Sequence, residues 1–69
     1  MNRIKELVLL QEEVQEEIRM LEFQYKKSKD FSERILIIER ISELSNLSNR
    51  LAADIFKESH SNLKRLINY

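Results

Sequence analysis

The fold is decided by the stretch Lys26-Lys27-Ser28-Lys29-Asp30-Phe31-Ser32-Glu33, in which a helix stop stands directly before a helix start. Lysines in the last turn of a helix suit the negative end of its dipole. Asp30, followed three residues later by Glu33, has the form of a capping box that begins a new helix. We therefore predict a tight turn at 28–30. Ser28 or Lys29 is expected to take an unusual backbone angle, because the chain has no glycine that could adopt one at low cost.

The residues before this turn predict a helix over 2–27. Apolar side chains recur there at alternating spacings of three and four, which is typical of a helix that packs along another at a shallow angle. The repeat runs through Ile4, Leu7, Gln11, Val14, Ile18, Leu21 and Tyr25. A single continuous helix over the whole chain is the alternative to two helices.

The residues after the turn predict a second amphipathic helix over 31–67. Its apolar repeat runs through Ile37, Ile41, Leu44, Ser48, Leu51 and Ile55 and, after a polar gap, Leu63 and Leu66. Two Ser/Asn clusters, 45–49 and 59–62, compete with the helical backbone for hydrogen bonds. We expect the helix to continue through the first cluster and to bend or fray near the second.

Folding the chain back at this turn predicts an all-α antiparallel helical hairpin, with 1–69 forming a single unit. Residues that face each other should have numbers that sum to about 57–58 if the helices rise equally. Glu17 then approaches Arg40, and the first helix ends opposite Phe56. Residues 57–69 extend beyond the first helix as an overhang.

Composition excludes several classes of protein. The 69 residues include no Gly, Pro, Cys or Trp, and 12 basic residues balance 12 acidic ones. Disulfide frameworks, cysteine metal fingers and glycine-rich phosphate loops are therefore ruled out. The longest apolar runs, 7–10 and 35–38, are far too short for a membrane span, and no secretory signal is recognisable. We expect a cytoplasmic protein.

A hairpin of this size is expected to need a partner. A single core of fewer than roughly 70–80 residues rarely supplies more than a few kcal/mol of stability. The sequence also carries more apolar side chains than one seam between two helices can use: Val8, Leu9, Met20, Phe23, Ile35, Ile38 and Phe56. We predict that the hairpin completes its core by dimerisation into a four-helix bundle or by docking on a helical partner.

Catalytic and metal-binding chemistry have little basis in the sequence. His60 is the single histidine, and its serine neighbours point about 100° away from it on a helix. The acidic run 12–17 lacks the Glu-x-x-His pattern of carboxylate metal sites in helical bundles. We predict a protein that is not an enzyme and needs no cofactor or metal.

Positive charge is local. Lys26, Lys27 and Lys29 lie at the turn, and Lys64 and Arg65 lie near the C-terminus. Nucleic-acid binders usually present a continuous basic face with stacking aromatics, so nucleic acid is disfavoured as a partner. A homodimeric hairpin that binds structured RNA or another regulatory protein is the alternative function.

Protein binding through apolar helix faces is the function we predict. The residues expected to contact the partner lie on the second helix and its overhang, and they are Ile37, Ile41, Leu44, Leu51, Ile55, Leu63, Leu66, Ile67 and Tyr69. Leu7, Val14, Ile18 and Leu21 are expected to form the seam of the hairpin.

The layout resembles a known family of small proteins. A helix of about 27 residues leads to the polar turn Lys29-Asp30-Phe31, and a longer apolar-rich helix ends in a polar Ser/His/Asn segment. This arrangement is similar to the small two-helix co-chaperones of type III secretion needle subunits. The resemblance implies a cytoplasmic hairpin that acts with a larger helical chaperone to keep the secretion subunit unpolymerised.

Overall fold

The chain forms two helices that pack against each other. A computed structural model describes the backbone of residues 3–67 and the side chains of residues 3–61. Helix α1 spans Arg3–Lys27 and helix α2 spans Phe31–Ile67, with no strand among the described residues. The helices run antiparallel and contact each other along their length. The predicted all-α helical hairpin is confirmed.

The turn is built by one helix cap. The Ser28 amide donates to the Gln24 carbonyl at 2.9 Å, which extends the hydrogen bonding of α1 by one residue. Asp30 then caps α2, since its Oδ1 accepts from the Ser32 amide at 3.0 Å and its carbonyl accepts from the Arg34 amide at 3.0 Å.

The predicted unusual backbone angle at this turn is wrong. No residue in the described part of the chain has a positive φ. Because α1 bonding reaches Ser28 and the Asp30 cap already satisfies an amide of α2, the chain reverses without a left-handed residue. Glycine is therefore not needed here.

The core lies in the seam between the helices. Each of its buried side chains is at most 9% exposed, and they are Leu7, Val14, Ile18, Ile37, Leu44 and Leu51. Leu21, Ile41 and Ile55 are partly buried against this cluster. These residues follow the alternating spacing of three and four on both helices, so the apolar repeats are the surfaces that the helices bury against one another.

Two polar side chains interrupt the apolar seam. Ser48 is buried, and its hydroxyl accepts a hydrogen bond from Gln15 Nε2 at 2.7 Å. Gln11 occupies a seam position on α1, and its buried Oε1 has no hydrogen-bond partner. One polar group in the seam is therefore satisfied and the other is not.

Polar pairs along the edges fix the register of the hairpin. Arg40 reaches Glu17 across the helices at 3.5 Å, so the predicted approach of these two residues is confirmed. Near the open end, Arg3 pairs with Glu58 at 3.4 Å. The residue numbers in each pair that joins α1 to α2 sum to between 57 and 63. These sums are equal to or slightly above the predicted sum of about 57–58. Helix α1 thus begins opposite Glu58, and the backbone of α2 continues as a helix to Ile67.

Helix α2 runs without interruption through both Ser/Asn clusters, including 59–62, where the sequence predicts a bend or fraying. The rings of Phe56 and His60, one turn apart, stack there at 5.8 Å between centroids. In the described part of the chain, neither helix has a stretch long and apolar enough to cross a membrane.

Candidate protein-binding surface

Five of the predicted partner-binding residues lie in the seam of the hairpin. Ile37, Leu44 and Leu51 are buried there, and Ile41 and Ile55 are packed against the core. A second protein cannot reach the three buried side chains while α1 covers them. These residues lie in the seam because an apolar repeat on one helix packs against the nearest amphipathic helix, and in this hairpin that helix is α1. We therefore place the candidate surface elsewhere on α2.

The other four predicted residues are near the C-terminal end of the sequence. Leu63, Leu66, Ile67 and Tyr69 lie outside the described side chains.

A second repeat on α2 is exposed except at Ser45, which is half-buried, and we call this repeat the lateral face. Six of its eight members directly follow a seam residue, and Phe31 and Ile35 continue the same spacing toward the start of α2, which places the lateral face about 100° round the helix from the seam. The large apolar members are 40–77% exposed. The lateral face consists of Phe31, Ile35, Ile38, Ser42, Ser45, Asn49, Ala52 and Phe56.

Small side chains occupy the middle of the lateral face. Bulky residues stand at its two ends, with Phe31 and Phe56 at 77% and 69% exposure. Between them, Ser42, Ser45 and Ala52 leave the backbone of α2 open to close approach. A helix laid along this face would fit large side chains over the small centre and would contact large side chains at both ends.

The sequence contains the signal for this face. Ile35, Ile38 and Phe56 are recognisable in the sequence as apolar residues beside the main repeat. From the sequence alone, they are interpreted only as widening the apolar face that contains that repeat. The informative pattern is the alternating spacing of four and three from Phe31 to Phe56, which includes three small polar residues. Because hydrophobicity alone does not mark serine as an interface residue, the repeat is hidden at its centre.

A smaller apolar patch lies on the outside of α1. Met20 and Phe23 are one turn apart and 57% and 58% exposed, and they line a shallow depression with Glu16, Arg19 and Gln24. The ammonium group of Lys27 sits over the Phe23 ring at 4.4 Å from its centroid. The ring therefore already has a partner on one side.

The basic groups at the turn are partly engaged within the hairpin. Lys27 lies over Phe23, and the guanidinium group of Arg34 lies over the Tyr25 ring at 4.5 Å and donates to the Tyr25 carbonyl at 3.4 Å. Two of the basic side chains therefore already pack on aromatic rings of the same hairpin. The turn therefore does not form a free basic stripe of the kind that tracks a phosphate backbone.

His60 and the acidic run 12–17 make surface contacts in the described residues. His60 is exposed and stacks on Phe56. Among the side chains of residues 3–61, no three His, Cys, Asp or Glu residues lie close enough to hold a metal ion. Glu16 and Glu17 instead pair with Arg19 and Arg40 at the surface.

Comparison with known proteins adds no assignment. No protein family, no curated protein and no solved structure matches the chain.

Proposed function

We propose that this protein is a binding module, an adaptor or co-chaperone that buries the lateral face of α2 against an amphipathic helix of another chain. The supporting observation is the lateral face itself, a helical repeat with four large apolar side chains that stay 40–77% exposed in the described hairpin. Exposed apolar side chains grouped in this way, here at the two ends of the face, mark interaction sites.

The lateral face supplies part of the free energy that a specific contact needs. Complete burial of an Ile or Phe side chain contributes about 1.5–3 kcal/mol, and the large residues of the lateral face have about half of that still to gain. Four such residues, with close contact over Ser45, provide several kcal/mol before the cost of ordering is subtracted. The mechanism is helix-in-groove recognition, in which the partner presents apolar residues at one face of its own helix.

The biological setting we propose is type III secretion. The support is the similarity of length, turn position and helix composition to the small co-chaperones of needle subunits. In that setting, the partner is a larger helical chaperone or the secretion subunit. The hairpin covers the apolar helix surface through which the secretion subunit would otherwise polymerise. The proposed handle for that partner is the C-terminal segment of the sequence, with Leu63, Leu66, Ile67 and Tyr69.

Site-specific photo-crosslinking in the native cell tests the binding function. A photoreactive residue at Ile38 should link the chain to a helical segment of a partner, which mass spectrometry identifies. The matched control is Leu9, which is 51% exposed, similar to Ile38 at 49%, but lies on α1 away from the lateral face. Equal crosslinking from both positions, or none from Ile38, would show that the lateral face is not the binding surface.

Removal of the overhang tests the handle separately. Deleting 59–69 should weaken the captured complex while the hairpin keeps its helicity, because the seam ends near Glu58. Unchanged capture by a folded truncated chain would limit the binding site to the lateral face.

A further inference from the structure

We propose that the chain that occupies the lateral face is a second copy of this protein, packed antiparallel about a two-fold axis at Ser45. This inference rests on the proposed function, because it assigns a partner to the same face. It adds the identity of that partner, the orientation of the helices and the position of the symmetry axis.

The lateral face is self-complementary in the antiparallel direction. A two-fold axis at Ser45 brings together residues whose numbers sum to about 90. Ile38 then faces Ala52 of the second copy, and Phe31 faces its Ser59. A large side chain thus meets a small one at each of these levels, which is the requirement for interdigitating helices. Ile35 and Phe56 meet near each end and close the contact with two large apolar groups.

Charge along the border of the lateral face favours the same orientation. On the solvent side of the face, the N-terminal half of α2 carries Glu39 and Glu43, and the C-terminal half carries Arg50 and Lys57 with one acidic residue, Asp54, so it is basic in net charge. An antiparallel pairing brings the acidic half of one copy beside the basic half of the other. A parallel pairing would instead place this border of one copy beside the seam border of the other, so these acidic and basic groups would not meet.

These charges are largely free to pair with a second copy. Among the described residues, neither Glu39, Arg50 nor Lys57 forms an ion pair, although Glu43 pairs with Arg40 at 3.3 Å. Glu39 and Arg50 have numbers that sum to 89, so the two-fold axis places them at nearly the same level. The dimer therefore gains opposite-charge contacts without breaking one of the cross-helix ion pairs of the hairpin.

The exposed area also agrees with a dimer. A compact monomer of 8.4 kDa is expected to expose about 4,600 Å². This chain exposes 5939 Å² and is 59 Å long but only 17 × 15 Å across. The excess of about 1,300 Å² per chain, doubled for two chains, is within the range of obligate homodimer interfaces.

The angle between the two faces of α2 completes the argument. The seam and the lateral face are about 100° apart, close to the right angle at which a helix of a four-helix bundle meets its two neighbours. Helix α2 would contact α1 through the seam and α2 of the second copy through the lateral face. Both copies would use the same surface, so the assembly closes at two chains.

Single cysteine variants test this arrangement, because the natural chain has no cysteine. Ser45→Cys lies on the axis, so the variant should oxidise to a disulfide-linked dimer that doubles the mass on a non-reducing gel. Ala52→Cys alone should stay monomeric on the gel, because its two copies are separated by about 21 Å along the helix. An equimolar mixture of Ala52→Cys and Ile38→Cys should crosslink. Leu47→Cys, on the opposite side of α2 from Ser45, is the control.

Each other outcome overturns the inference. Self-crosslinking of Ala52→Cys would show a parallel dimer. Equal crosslinking of Leu47→Cys and Ser45→Cys would show random collision, and an uncrosslinked Ser45→Cys with retained helicity would show that no second copy occupies the face. If Ser45→Cys fails but Ile38 still photo-crosslinks a different protein, the inference is wrong and the proposed function stands. If only copies of this chain are captured, the lateral face is a binding surface and the dimer stands, but the adaptor role toward a different protein is wrong.

Discussion

Replacement of Gln11 by leucine should stabilise the protein. Gln11 lies in the apolar seam, and its buried Oε1 has no hydrogen-bond partner. An unsatisfied buried acceptor costs about 1–3 kcal/mol relative to its hydrated state. Gln11→Leu removes that cost and adds apolar contact in the same volume, so the free energy of unfolding should rise by about 1–3 kcal/mol.

The matched control is Gln15→Leu, one turn further along α1. Gln15 is exposed and donates to the buried hydroxyl of Ser48 at 2.7 Å. Its replacement leaves that hydroxyl unsatisfied, so stability should fall by about 1–3 kcal/mol. Two glutamines four residues apart thus predict changes of opposite sign.

Urea unfolding followed by far-UV circular dichroism measures both variants. All samples should have one chain concentration, because any association makes apparent stability depend on concentration. The Gln11→Leu midpoint should move to higher urea with the slope of the transition unchanged. A lower midpoint for Gln11→Leu, or shifts of the same sign in both variants, would refute the reasoning from the seam.

Two further changes test the fold. Asp30→Ala removes the cap that accepts from the Ser32 amide, and it should cost about 0.5–2 kcal/mol of stability in the same urea assay; an unchanged midpoint would mean that the cap does not stabilise the turn. Leu44→Ala empties a core position that is 4% exposed, and it should cost about 2–5 kcal/mol and unfold much of the chain. Leu36→Ala, at 65% exposure, should cost far less, and equal losses from the two leucines would contradict the assignment of the seam.

Much of this hairpin is predictable from local sequence. The Asp30 cap, the two apolar repeats and the approach of Glu17 to Arg40 all depend on helical geometry and on neighbouring residues. Each of these features needs only 3.6 residues per turn and one reversal of the chain. The unusual turn angle was the exception, because it depends on how far the hydrogen bonds of α1 extend before the Asp30 cap begins.

The binding residues are harder to predict for a physical reason. An apolar repeat indicates that one surface of a helix is buried, but it does not indicate which other helix covers that surface. Ile37, Leu44 and Leu51 therefore suit a partner as well as α1 in sequence, and only the packed hairpin assigns them to its own core. The lateral face is identified only after the seam residues are known to be buried, because it is the repeat on α2 that remains exposed in the packed hairpin.

The role of serine at the centre of that face illustrates the same limit. Ser48 and Ser45 are three residues apart in one cluster of Ser and Asn. Ser48 is buried in the seam and bonded to Gln15, whereas Ser45 belongs to the lateral face. Sequence propensity treats both as helix-weakening residues. Their different roles follow from their angular positions on α2.

The most direct test of the lateral face is the mass of the purified chain by sedimentation equilibrium over about a hundredfold range of concentration. The natural chain should approach twice its 8.4 kDa. Ile38→Arg should remain at 8.4 kDa with unchanged helicity, because it places a charge in the lateral face without touching the seam. Leu9→Arg, on the outside of α1, should still dimerise. A natural chain that stays monomeric throughout, or a Leu9→Arg variant that dissociates as readily as Ile38→Arg, would contradict a second copy on the lateral face.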